Sequence, residues 1–240
     1  MHAIVYTAIF GGHDTLKQPI AQDEPCEFVC FTDYRMPSRV GAWRVIHINP
    51  DHYYPILQSR RPKVLSHKVF PGGRLAWHYA PLSRRRRADL LIWVDGTIQI
   101  EDPSFVRDMR AALGGHDWAV FGHPDRDCIY DEAHAVRALP RHRGLPVFQQ
   151  VEAYKSIVPP HDGLYAHNIL VRRQPSSVRM DKVNELWWQE LQKWTSRDQI
   201  SLPYVLRIVG QCDPVKIPGQ LRSNKWFKII PHQGLKPPPR

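Results

Sequence analysis

The sequence predicts an α/β fold, with a mostly parallel central sheet flanked by helices. Three observations predict it. Short apolar runs of strand length recur along the chain. Segments with helical spacing alternate with them. Glycine, threonine or aspartate follows several of the runs, as happens where buried strands end in loops.

The elements follow in order. AIVYTAIF (3–10) is short, apolar and rich in β-formers, and Gly11-Gly12 ends it. CEFVCFTD (26–33) is a second strand, closing on Thr32-Asp33, and WRVIHIN (43–49) is a third. SRRPKVLSHKVF (59–70) has helical character, with Arg60, Lys63 and His67 spaced for one face. ADLLIWVDGTIQI (88–100) reads as one strand running through Asp95-Gly96. PSFVRDMRAAL (103–113) is a helix with proline at its start. DWAVFGHP (117–124) is a fifth strand, and DEAHAVRAL (131–139) is helical. GLYAHNILVRR (163–173) is another strand. VRMDKVNELWWQELQKW (178–194) is an amphipathic helix whose Trp187-Trp188 pair belongs mostly to the core. SRDQISLPYVLRIVG (196–210) is a second helix, with Ser196 placed to cap it and Gly210 to close it. WFKIIPHQG (226–234) is a final strand and loop. One domain over 1–235 and a proline-rich tail over 236–240 are expected.

A chain of 240 residues with 42% hydrophobic and 23% charged content has the composition of a globular protein with a sizeable core. Its net charge of +10 favours anionic partners such as nucleotides, acidic glycans or membrane surfaces. The run Arg84-Arg85-Arg86-Arg87 carries part of that charge. It reads either as a solvated loop or as a polyanion patch. No helix-turn-helix, zinc-finger or RNA-recognition signature accompanies it, so no nucleic-acid partner is expected. Cys26, Cys30, Cys128 and Cys212 match no zinc spacing template, and the N-terminal stretch is strand-like rather than a signal peptide. A cytoplasmic setting is the default, with peripheral contact at the inner face of an anionic membrane compatible with the charge.

In open α/β sheets ligands bind beyond the carboxyl ends of the strands. That rule selects Gly11, Asp33 and Asp95, each just after an apolar run.

Several motifs together carry a family resemblance: YTAIFGGHD (6–14), FVCFTD (28–33), RRPKVLSH (60–67), WVDGTIQI (93–100) and HPDRDCIYDEA (123–133). From about residue 3 to 205 the chain resembles the glycosyltransferase-like domain family once catalogued as domain of unknown function 616. That family occurs in plant proteins of cell-wall polysaccharide synthesis and in bacterial proteins. The chain is also similar, more loosely, to glycogenin-like enzymes of the GT-A fold. The resemblance implies a GT-A-like nucleotide-diphospho-sugar transferase. It would move a sugar from a UDP- or GDP-linked donor to a glycan or other hydroxyl acceptor, in a pathway such as surface polysaccharide synthesis. Mn²⁺ or Mg²⁺ is the implied cofactor.

The glycogenin-like pattern has a D-x-D pair after a strand, a D-Q pair opening a helix, and a C-terminal H-x-x-G-x-x-K-P motif. Asp198-Gln199 matches the D-Q pair, and HQGLKPP, with His232 and Lys236, echoes the last motif at tighter spacing. Thr97 replaces the second acid of the D-x-D pair, leaving Asp95 alone. Asp95, His232, phosphates and water form one possible metal shell. Lysine and arginine neutralising the diphosphate directly is the other arrangement.

The remaining candidates follow from what the transfer needs. Thr7, Ala8 and Gly11 are candidates for the nucleoside, where small residues admit a base. Asp33 suits a base or ribose hydrogen bond, or a turn. Arg60 and Lys63 suit the diphosphate, or a solvated basic face, with His67 and Lys68 lesser candidates. Arg126, Asp127 and Glu132 suit donor sugar or acceptor chemistry, or salt bridges within a loop. Asn168 is a polar group for the sugar, and Asp198 a carboxylate near the reacting carbon or a helix-start acid. Two alternatives from other classes remain: a non-catalytic basic binding protein and a metal-assisted phosphoester hydrolase. The scattered histidines give the hydrolase little support.

Overall fold

The computed structural model describes residues 2–49, 54–70 and 88–234, the side chain of Arg141 excepted. The Arg84–Arg87 run, Lys236 and the proline-rich tail lie outside the described residues. The described chain is α/β. Its main sheet has eight strands in the order β3-β4-β2-β1-β5-β8-β7-β9. These are β1 (Ala3–Ile9), β2 (Cys26–Thr32), β3 (Arg39–Val40), β4 (Trp43–His47), β5 (Leu90–Val94), β7 (Trp118–Gly122), β8 (Tyr165–Arg173) and β9 (Val215–Lys216). A second, two-stranded sheet pairs β6 (Ile98–Ile100) with β10 (Phe227–Ile229).

The centre is parallel: β1 lies between β2 and β5 and runs with both. Every residue of β1 and β5 is buried, as expected for strands covered on both faces. Alternate side chains feed two cores. Tyr6, Phe31 and Trp93 pack on the face that also holds Trp187 and Leu202. Val5, Cys30 and Ile92 pack on the other, with Phe105, Met109 and Phe227. The helices are α1 (Pro55–Val64), α2 (Ser66–Val69), α3 (Phe105–Leu113), α4 (Ile129–Ala138), α5 (Val147–Tyr154), α6 (Val178–Lys193) and α7 (Asp198–Val209).

Several elements differ from expectation for physical reasons. The run 88–100 is not one strand. The Ile98 amide donates to the Asp95 carbonyl at 2.9 Å, so Asp95-Gly96-Thr97 turns the chain out of one sheet into the other. The helix at 59–70 begins earlier, at Pro55, and breaks at Leu65, whose φ of −93° and ψ of 38° leave the helical region. His67 therefore leaves the face shared by Arg60 and Lys63 and meets Glu185 and Asn184 of α6. β8 runs antiparallel to both β5 and β7, so its first residues, not its last, lie near the parallel strand ends. Arg197 rather than Ser196 precedes α7, with no side-chain cap, while Gly210 does close it at φ 69°. The sequence does not predict α5, a short helix following Gly144 and Pro146. Its Val147, Val151 and Tyr154 nonetheless share one buried face. Among the described residues, no helix is long and apolar enough to cross a membrane.

Candidate functional site

A cavity of about 730 Å³ opens at the carboxyl ends of β1 and β5. β1 and its loop supply Ala8 and Gly11, and the β5 turn supplies Asp95, Gly96 and Thr97. Tyr54 precedes α1, which presents Ser59, Arg60 and Lys63, and the start of β8 adds His167 and Asn168. Arg197, Asp198 and Gln199 come from the start of α7, and His232 from the loop after β10. Residues far apart in sequence meet because strand ends, helix starts and that loop converge on one edge.

Charge concentrates at the floor. The Lys63 ammonium lies 2.6 Å from Asp198 Oδ2 and 3.5 Å from Asp95 Oδ1. The Arg60 guanidinium lies 3.6 Å from Asp198 and 4.0 Å from Asp95. Trp93 Nε1 donates to Asp95 Oδ1 at 2.9 Å, and the Asp95 amide donates to the Asn168 carbonyl at 2.9 Å. Burial pushes the Asp198 carboxyl upward, but Arg60, Lys63 and His167 together hold it well below the usual carboxylate range. Burial lowers the Lys63 ammonium, and the two carboxylates only partly offset it. Burial likewise lowers His167, which favours the neutral ring. The imidazole stacks edge-on against Trp187.

A third acid, Asp14, also lines the cavity and was not among the sequence candidates, although YTAIFGGHD contains it. His232 Nδ1 bonds its Oδ2 at 2.8 Å, and the amides of Thr15 and Gln233 donate to its Oδ1. Burial raises its carboxyl; Lys17, those amides and His232 outweigh this and bring it below the usual value. The Asp14 pairing fixes which ring nitrogen of His232 is engaged, so Nε2 is left for another partner. Asp95 and His232 share the cavity but do not touch; each has its own partner.

The other candidates fall elsewhere. Thr7 is enclosed within the sheet at 1% exposure. Asp33 accepts the Gly11 amide at 2.8 Å and holds the loop from outside the cavity lining. Glu132 is buried behind the wall. It accepts from Arg126 at 2.8 Å and from Arg197 at 2.9 Å. Glu132 and Arg126 thus connect to the cavity through Arg197, which sequence reasoning overlooked beside the more conspicuous Asp198-Gln199. Asp127 sits on the surface, 2.7 Å from His161 Nδ1. His13, which lies in YTAIFGGHD, and Tyr54, His142 and His167 are further lining residues that were not among the sequence candidates.

Against known proteins, the family described as TOD1/MUCI70, glycosyltransferase-like domain, matches residues 1–218. A curated relative, the probable hexosyltransferase MUCI70 of Arabidopsis thaliana, is 25% identical over 236 residues. The match covers 84% of this chain and 36% of that relative, so the chain spans about a third of its length.

Proposed function

The chain belongs to the TOD1/MUCI70 glycosyltransferase-like domain family, and from that premise we propose that it transfers a hexose from a nucleoside-diphosphate donor to a hydroxyl acceptor, such as a glycan. One observation carries the reading. Arg60 and Lys63 converge on Asp95 and Asp198 at the strand ends, inside a single cavity.

Transfer leaves a diphosphate carrying new negative charge, and preorganised cations lower the barrier to its departure. Lys63 and Arg60 are already oriented for that task, because Asp198 and Asp95 fix them before any ligand arrives. Asp198 stays ionised and supplies a fixed negative charge beside the sugar, where positive character develops. Asn168 and Gln199 are polar groups for sugar hydroxyls. Ala8 and Gly11 leave room for the nucleoside. Arg197, held by Glu132, adds a third cation to the wall. The β6–β10 pairing brings the His232 loop to the cavity wall.

The donor set also suits a divalent ion. The Trp93 hydrogen bond and the closest approaches of Lys63 and Arg60 all fall on Asp95 Oδ1. His232 has its Nδ1 on Asp14, the arrangement that usually orients a metal-binding imidazole. Asp95 and His232 would hold Mn²⁺ or Mg²⁺, with diphosphate oxygens and water filling the shell. When bound, such an ion supplies further neutralisation of the leaving diphosphate.

Titration of the full chain with UDP, GDP, ADP, CDP and TDP, each with and without Mn²⁺, tests the reading by thermal shift and calorimetry. At least one nucleotide is expected to bind, and Lys63→Met should weaken it at least about tenfold, or 1.4 kcal/mol. Absence of binding by every nucleotide in both metal conditions overturns the proposal.

A further inference from the structure

HPDRDCIYDEA, the most distinctive stretch of the chain, is only partly absorbed by the cavity. Glu132 reaches it through Arg197, but Asp127, Cys128 and Asp131 do not line it. These residues gather around a different point. Cys128 immediately precedes α4, and Asp131 lies in its first turn. His161 comes from the loop between α5 and β8. One ligand atom from each of Cys128, Asp131 and His161 lies within 4.8 Å of the other two. The Cys128 thiol is buried, whereas Asp131 and His161 are exposed, so the cluster sits at the surface with an open side.

Two further contacts shape the cluster. Asp127 Oδ1 holds His161 Nδ1 at 2.7 Å. The Gly163 amide donates to the Asp127 carbonyl at 2.8 Å, tying the two loops together. A carboxylate on one imidazole nitrogen orients the ring and makes the other a better ligand. The His161 backbone is held at φ 58°, a conformation uncommon for a residue other than glycine.

We propose that Cys128, Asp131 and His161 form a zinc site separate from the cavity, with Asp127 as its orienting carboxylate. A thiolate with an imidazole and a carboxylate is a set that zinc accepts, whereas the harder ions magnesium, calcium and manganese disfavour thiolate. With Nδ1 on Asp127, His161 binds through Nε2. Three protein ligands leave a fourth tetrahedral position for water on the exposed side. The anionic ligands sit at the start of α4, where a helix favours negative charge. The consequence is mechanical. Zinc staples the start of α4, one residue before Glu132, to the loop that leads into β8. Glu132 holds Arg197, and β8 carries His167 and Asn168. The ion would therefore brace two walls of the cavity while touching no substrate, and the proposal stands whether or not the chain transfers sugar.

The full chain, purified without chelator and dialysed against zinc-free buffer, should retain about one zinc per chain by elemental analysis. Cobalt added to the stripped protein should give a thiolate-to-cobalt charge-transfer band in the near ultraviolet. Cys128→Ser should abolish the band, and His161→Ala should lower zinc affinity sharply. Asp127→Asn should keep the stoichiometry and weaken binding about 10–100-fold. Because the cobalt spectrum is read on the native sequence, absence of the band counts against the proposal even if a variant fails to fold. No thiolate band in the native chain overturns the proposal, as does a band that survives Cys128→Ser.

Discussion

Lys63 and Arg60 reach two carboxylates from one side of α1, and Asp198 is the closer partner of both. Removing its charge leaves two cations largely out of water with only Asp95 to answer them. Breaking a buried pair in this way costs about 3–5 kcal/mol. Asp198→Asn should fall at the lower end, because Asp95 remains, and denaturant unfolding monitored by tryptophan fluorescence checks it. The loss would show that Asp198 has a structural duty alongside any chemical one. Activity of that variant must therefore be read beside its stability. Asp95 is different, being partly open to the cavity. It was legible from sequence because an apolar run ended on it. Asp14 and Arg197 were not, although each lies in or beside a motif, because neither closes an apolar run and their partners are far away in sequence. Their importance appears only when His232 and Glu132 arrive from elsewhere.

At the level of elements, the β1 loop and α1 are locked together at Gly11. Its φ of +65° suits glycine, and an added Cβ would lie 3.0 Å from Pro55, the first residue of α1. Gly11→Ala should cost about 1–2 kcal/mol through backbone strain alone. It should also displace α1, lowering nucleotide affinity more than an equally destabilising change remote from the cavity. A remote control is available in α6, where the Ser177 side chain accepts the Met180 amide at 3.1 Å. Ser177→Ala should cost about 1 kcal/mol by thermal or urea unfolding and leave nucleotide affinity unchanged. The amphipathic α6 and the apolar β1 and β5 were readable because their residue spacing matches their geometry. The split of 88–100 was not, because a strand and its continuation after a tight turn present the same apolar pattern.

For the whole molecule, the pH response follows from carboxylates held ionised. The Asp198 carboxyl sits well below the usual range in the folded chain. Its unfolded value is about 3.9. A depressed folded value means that its contribution to stability is fully present above about pH 4–5 and is lost as the pH falls toward the folded value. The urea midpoint should therefore be flat between pH 6 and 7 with respect to this group and drop steeply below about pH 4. In Asp198→Asn that acid-side drop should be shallower. An equally steep drop in the variant would show that other carboxylates govern the acid limit.

Sequence by itself determined the class of the fold, the identity of the main strands and helices, and several members of the cavity. Strand burial and helix amphipathicity are written into local spacing, and a lone acid after an apolar run is visible one residue at a time. Tertiary structure decided the direction of β8, the transfer of 98–100 into a second sheet, and the partners of each charge. Those outcomes depend on which backbone edges pair and which distant loops meet at one strand end. That is why Glu132 proved to be the anchor of Arg197, and why Asp127 turned to His161 rather than to the cavity.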